Sequence, residues 1–186
     1  MFGGVELVHL TVSGHPGSGT TTLVNEICRR KGWDSLNGGE VFRTSADERG
    51  VTLEEFSSLC DKESEVDKSL DQRLISAMLD ENGPEVVESR LSGWWAYQHE
   101  ILCIRLWLSV SIKERANRVV NREGGSHDDV VSRILERMES DQKRYKNLYE
   151  ISLDDMTPYN MIIETDSLSA TEVADMVENA LNKKEA

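Results

Sequence analysis

Residues 14–21, Gly-His-Pro-Gly-Ser-Gly-Thr-Thr, have the types and spacing that cradle a phosphate. Gly14, Gly17 and Gly19 let the backbone approach an anion, successive N–H groups in such a loop point into one concavity, and the positive end of a following helix adds to their field. Gly14 through Thr21 fit G-x-x-x-x-G-x-[ST], short of the full pattern only where Thr20 replaces lysine. Thr21 supplies the hydroxyl expected to bind a magnesium ion bridging two phosphates, with Thr22 as the alternative register. His15, Pro16, Ser18 and Thr22 complete the binding stretch, His15 through its backbone amide. Without the lysine, another cation must follow the charge of a transferring phosphoryl group.

The cations available are arginines. The chain has 13 arginines and 8 lysines, and eight of the arginines fall between Arg90 and Arg144. A planar guanidinium matches phosphate oxygens bidentately, so this bias is consistent with a local anion site; a solvated, salt-bridged helix face is the alternative. The net charge of -13 argues against general binding to nucleic acid or an anionic membrane. Cys28, Cys60 and Cys103 share no metal or disulfide spacing and read as buried thiols of a reducing cytoplasm. No window approaches the ~18 apolar residues of a membrane helix, and the N-terminus lacks a basic leader.

These residues must be positioned by regular elements. Residues 5–13 read as a strand ending at the glycine loop, and 21–32 as a helix with Leu23, Val24 and Ile27 on one face and Gly32 as its stop. Residues 33–39 read as a connection, 39–50 as a helix, and Thr52 with Glu55 as a capping box opening the next. Val66, Leu70 and Leu74 give a polar helix one buried stripe. Residues 84–93 read as a short buried strand opening into a functional loop, and 101–110 as the clearest strand. Two helices follow, the first ending at Gly124 and Gly125, the second begun by Ser126, Asp128 and Asp129. A strand at 158–164 and a helix capped by Ser167 or Ser169 and running through Leu181 close the chain. This alternation predicts one α/β domain over residues 1–186 with a parallel sheet covered on both faces.

Four segments, PGSGTTT (16–22), GEVFR (39–43), SRLSGW (89–94) and RYKNLY (144–149), make the chain resemble the nucleoside monophosphate kinases, most closely the archaeal cytidylate kinases, over nearly its whole length. That branch carries a lysine-less loop, so Thr20 is a family trait; Ser89, where glycine is expected, puts the local turn in question. The resemblance implies a P-loop NTPase three-layer sandwich, a helical segment for the acceptor monophosphate at about 39–80, and a short lid within about 115–140. It implies ATP and Mg2+, with Gly14 through Thr22 holding ATP and Thr21 the metal, and CMP or dCMP as acceptor. Arg43 and Arg90 would grip the acceptor phosphate, with pairing of Arg43 to Glu40 or Asp47 as its alternative. Arg115, Arg118 and Arg122 step along one helix face, and Arg118 and Arg122 are the lid residues expected to reach phosphate. Arg137, Asp141 and Arg144 step along the next, where Asp141 would bind ribose and Arg122, Arg137 and Arg144 would act in catalysis; a salt-bridge ladder with Glu136 and Lys143 is the bland reading. Trp94 and Trp95 are assigned to packing beneath the acceptor lobe.

No general base is visible, and an acceptor phosphate needs none. AMP or UMP as acceptor stays open, as does a non-catalytic nucleotide switch, for which the missing lysine is the chief support. A shikimate- or gluconate-type kinase would need a carboxylate base, with Asp47 or Asp67 the candidates. The expected protein is a cytoplasmic monomer.

Overall fold

The computed structural model describes residues 7–185. Five parallel strands form one sheet in the order β2-β3-β1-β4-β5: β1 Leu10–Gly14, β2 Ser35–Asn37, β3 Val86–Glu88, β4 Ile104–Ser109 and β5 Met161–Glu164. The helices are α1 Thr20–Lys31, α2 Gly38–Glu48, α3 Leu53–Lys62, α4 Ser64–Leu79, α5 Ser92–Gln98, α6 Ile112–Glu123, α7 His127–Tyr149 and α8 Ala170–Glu185. Every residue of β1 is buried, as befits the central strand of a parallel sheet covered on both faces.

Two apolar layers make the sandwich. On one face Leu23, Val24 and Ile27 of α1 meet Val173, Val177 and Leu181 of α8 over Leu10, Val12, Val86 and Leu106. On the other, Val87 is covered by Trp95 and Ala96 of α5, Leu70, Leu74 and Met78 of α4, Phe56 of α3 and Val41 of α2. The α6–α7 pair has its own small core of Ala116, Val119, Val130 and Ile134. Adjacent Val86 and Val87 serve opposite faces because strand side chains alternate. No helix among the described residues is long and apolar enough to cross a membrane.

The helical caps read from sequence are present: Thr52 and Glu55 form a reciprocal capping box, and Ser126 accepts from the Asp129 N–H. Ser169, rather than Ser167, opens α8, sharing hydrogen bonds with Glu172. Four expectations are corrected. The first strand starts at Leu10, where the N–H groups of His9 and Leu10 both reach Glu85 O, and extends to Gly14; residues 5 and 6 of the expected strand lie outside the described residues. Residues 35–37, read as connection, are edge strand β2, too short for a periodic signal but registered Asn37 against Glu88. The expected loop after Arg90 winds at Ser92 into α5, whose seven residues hide any helical period. The final strand is confined to Met161–Glu164, and α8 runs on to Glu185.

Candidate nucleotide and phosphate site

The glycine loop joins the C-terminal end of β1 to α1, at the centre of the sheet between β3 and β4, where the strand order reverses. Gly17 and Gly19 have φ of 83° and 84°, a left-handed backbone that glycine adopts without strain. Gly19 is the N-cap of α1 and offers no side-chain cap, leaving the first N–H groups of the helix to a ligand. Ser18 N–H closes the turn onto His15 O at 3.1 Å, while Ser18 Oγ is buried without a hydrogen-bond partner. An orphaned hydroxyl inside an N–H-lined loop fits a phosphate oxygen.

Thr20 does not face the cradle as a lysine would. Its hydroxyl donates to Glu88 Oε1 at 2.6 Å, and the Thr21 hydroxyl donates to the same oxygen at 2.8 Å. Asn37 Nδ2 donates to Glu88 Oε2, while Asn37 Oδ1 caps α2 by accepting from Gly39 N and Glu40 N at 2.8 and 3.2 Å. Glu88 is buried, 7% exposed, with three donors turned on it, and it was missed in the sequence reading. The available signal was an acid at the end of a buried strand next to β1. Because Thr21 spends its proton on Glu88 and is itself exposed, its lone pairs are left for a cation. That donor set, a hydroxyl oriented by a carboxylate, fits magnesium.

The arginines hold the loop from outside. Arg90 Nη1 donates to Gly14 O at 2.9 Å, Arg115 Nη1 to Pro16 O at 3.4 Å and Arg118 Nη1 to Ser18 O at 2.9 Å. Three guanidinium groups, one from the β3–α5 connection and two from α6, thus take alternate carbonyls. Arg115, which the spacing did not favour, is 4% exposed and also reaches Met138 Sδ; burial, then Arg90, lowers its pKa. Arg118 is further fixed by Thr165 O at 2.6 Å and Glu114 Oε1 at 3.0 Å. Arg122 instead lies exposed at the end of α6, paired with Glu123. His15, flanked by the two carbonyls held by Arg90 and Arg115, packs edge-on against Trp107 at 5.1 Å. Burial first, then Arg115 and Arg90, lowers its pKa to about 4 and keeps it neutral.

On α7, Asp141 is buried and accepts from Arg90 Nε at 3.0 Å, so Arg90 joins the loop to α7. Arg137, one turn earlier, feels the charge of Arg90, Asp141 and Arg144; although the residue is exposed, desolvation of its guanidinium and then Arg90 lower its pKa. Arg144 turns to α4, with Nε 3.5 Å from Asp67 Oδ2. Arg43 is exposed on α2 and curls back toward Gly39. Ser89 needs no glycine: its backbone is not in the left-handed region, and its N–H reaches Val12 O and Ser92 Oγ. Trp95 is buried and Trp94 packs against the same core, as expected.

Beside the loop, a cavity of about 310 Å³ runs between α1, α6 and the start of α8. Ser18, Thr22, Arg118, Arg122 and Thr165 give it a polar side, and Leu168 and Val173 an apolar one. A planar base fits such a slot, with the cationic guanidinium of Arg118 available to its face.

The cytidylate kinase-like family model matches residues 9–167. The chain is 38% identical over 173 residues to the cytidylate kinase of Pyrococcus furiosus, covering 93% of this chain and 88% of that protein. It is 34% identical over 178 residues to the cytidylate kinase of Methanococcus maripaludis, covering 95% and 99%. Among solved structures, shikimate kinase from Bacteroides thetaiotaomicron aligns with a TM-score of 0.62 at 16% identity, covering 95% of this chain and 99% of that one. A gluconokinase from Sinorhizobium meliloti aligns at 0.61 and 14%, covering 95% and 92%. The last two share the fold, a P-loop kinase sandwich. With the loop, its arginines and a match spanning most of its length, the chain belongs to the cytidylate kinase-like family.

Proposed function

We infer that the protein transfers the γ-phosphoryl group of ATP to CMP, giving ADP and CDP, and accepts dCMP as well. The observation that carries this reading is Arg90, which bonds the phosphate loop at Gly14 and the acceptor-side Asp141 at once, so that donor and acceptor anions meet at one guanidinium. The donor's phosphates lie on the N–H groups of residues 14–22 and its base in the cavity beside Arg118. Arg43, Arg90 and Arg137 receive the acceptor phosphate, Asp141 its ribose, and Arg122 and Arg144 close on the phosphates. Magnesium would be held by Thr21, whose hydroxyl Glu88 orients, and would supply charge neutralisation to the donor's phosphates.

The acceptor oxygen is already anionic, so transfer needs positioning and charge stabilisation rather than a base. The arginines replace the lysine in two ways. Arg90, Arg115 and Arg118 pin the loop carbonyls, which orients its N–H groups inward, and the remaining N–H donors of Arg90 and Arg118 carry positive charge beside them. The carboxylate base that a hydroxyl acceptor would require is not offered by the two candidates: Asp67 is paired with Arg144 and Asp47 is exposed on α2. We place the enzyme in the cytoplasm as a monomer.

ADP release measured with ATP and a panel of CMP, dCMP, UMP and AMP tests the reading. CMP is expected to give the highest kcat/KM; no acceptor-stimulated turnover with any monophosphate refutes kinase activity. Arg90→Ala is expected to lower kcat or raise the acceptor KM at least tenfold.

A further inference from the structure

Asn37 ends β2 and is the N-cap of α2, and both ends of its carboxamide are in use. Its Oδ1 accepts from Gly39 N and Glu40 N at 2.8 and 3.2 Å, which leaves Nδ2 to point the other way, where it donates to Glu88 Oε2. The remaining oxygen of Glu88 takes the hydroxyls of Thr20 and Thr21 at 2.6 and 2.8 Å. A hydrogen-bonded chain therefore runs from the start of α1 at the glycine loop, through the end of β3, to the first turn of α2.

The start of α2 is seated closely against β3. A Cβ on Gly38 would lie 3.0 Å from Ser89 Cβ and 3.6 Å from Glu88 O, so the chain leaving Asn37 runs along the strand's end. Arg43 is four residues past Gly39 and folds back over the same turn, its Nη1 3.4 Å from where a Gly39 Cβ would be. Whatever fixes this turn fixes Arg43. The two bonds of Asn37 ask opposite things of one side chain: the N–H groups of a helix N-terminus need an acceptor, and a buried carboxylate needs a donor. A carboxamide carries one of each. Aspartate caps a helix as well, but it would set a second carboxylate against Glu88.

We propose that Asn37 is a positioning residue for donor and acceptor together. By occupying Glu88 Oε2 it leaves Oε1 to orient the Thr21 hydroxyl, and by capping α2 it holds Arg43 in place at the acceptor side. The proposal rests on the CMP reading above.

The pair can be exchanged without altering its hydrogen bonds, and this makes the test. In Asn37→Asp/Glu88→Gln the new carboxamide donates to the new carboxylate and returns its oxygen to Thr20 and Thr21, while the carboxylate still caps α2. Each variant is compared at pH ~8, where carboxylates are charged, by the magnesium half-saturation of ADP release, by calorimetric CMP affinity without metal or ATP, and by thermal melt. Glu88→Gln alone, whose oxygen still meets Asn37, is expected to raise the magnesium half-saturation at least about tenfold with CMP affinity within about twofold of wild type. Asn37→Asp alone is expected to weaken CMP binding at least about tenfold while melting within a few degrees of wild type, since the cap is kept. The double variant is expected to regain CMP affinity to within about threefold of wild type, with a magnesium half-saturation at least about fivefold better than that of Glu88→Gln. A residue that only stabilised the fold would move the melting temperature and leave these two constants together.

Additive defects in the double variant overturn the proposal, and so does wild-type CMP affinity in Asn37→Asp. Should Asn37→Asp not fold alone, a magnesium half-saturation no better in the double variant than in Glu88→Gln overturns it. Wild-type protein that neither binds nor turns over CMP removes the CMP reading and this proposal together, whereas wild-type CMP binding with additive variants removes only this one.

Discussion

Glu88→Gln exchanges one oxygen for an amide in the most donor-rich position of the site. Asn37 cannot turn to accommodate it, because its Oδ1 is occupied by Gly39 N and Glu40 N at 2.8 and 3.2 Å. The new carboxamide must therefore present its oxygen to Asn37 Nδ2 and its NH2 to Thr20 and Thr21. Both hydroxyls then accept instead of donating, and the Thr21 proton swings to the exposed side of the loop where lone pairs had been. Two charge-assisted bonds of 2.6 and 2.8 Å become neutral ones, a loss of about 1–1.5 kcal/mol each. The sum, about 2–3 kcal/mol, predicts a fall of roughly 30- to 150-fold in kcat/KM at limiting magnesium. Folding is expected to change by less than about 1 kcal/mol, since a buried charge is removed along with its partners' stronger bonds. Magnesium titration of ADP release, the half-saturation read separately from kcat, is the assay, with a thermal melt alongside. An unchanged magnesium half-saturation with full activity refutes the orienting role of Glu88, and a large loss of melting temperature with normal activity makes the acid structural only.

Arg118→Ala removes the bonds to Ser18 O, Thr165 O and Glu114 together and opens the wall of the 310 Å³ cavity; the KM for ATP is expected to rise at least tenfold with the CMP KM little changed, measured by varying each substrate in turn. Gly93→Ala would place a Cβ 2.3 Å from Tyr159 Cε1, an overpacking expected to cost at least about 1–3 kcal/mol and to lower the melting temperature by several degrees. The pH dependence of stability joins two opposed groups. Burial pushes the Asp71 pKa from 3.8 up to about 6, so the folded state binds the extra proton, and this contribution, at most about 3 kcal/mol, is full below pH ~4 and lost as pH rises through ~6. His15 is lowered from 6.5 to about 4, so its charge must be given up on folding and stability rises with pH over nearly the same interval. His15→Asn is expected to expose the Asp71 slope: its urea midpoint should fall between pH 4.5 and 6.5 more steeply than that of the wild type, and parallel curves would refute the pairing.

What was legible in the sequence was what local spacing encodes. Glycines at 14, 17 and 19 dictate a loop wherever the chain goes, and the periodic stripes of α1 and α4 dictate which face is buried. The seven residues of α5 and three of β2 are too few for a period to emerge. Glu88 acts through Thr20, Thr21 and Asn37, residues 51 to 68 positions away, a relation that only the registered sheet creates. Helical steps put Arg115, Arg118 and Arg122 near one another but not what they meet: two of them spend donors on the loop's carbonyls, and the third pairs with Glu123. The acid Asp67 was visible only as a possible base for a different chemistry until the fold set it against Arg144.

The bond from Thr20 to Glu88 has a bearing on how this loop tolerates exchange. An ammonium introduced by Thr20→Lys would meet a buried carboxylate before it met any phosphate, and the resulting ion pair would draw the side chain away from the cradle. Positions 20 and 88 are therefore physically coupled, because a change at either one alters the hydrogen bond that the other makes. Grafting the common lysine into this loop would transplant a letter without the grammar that gives it meaning.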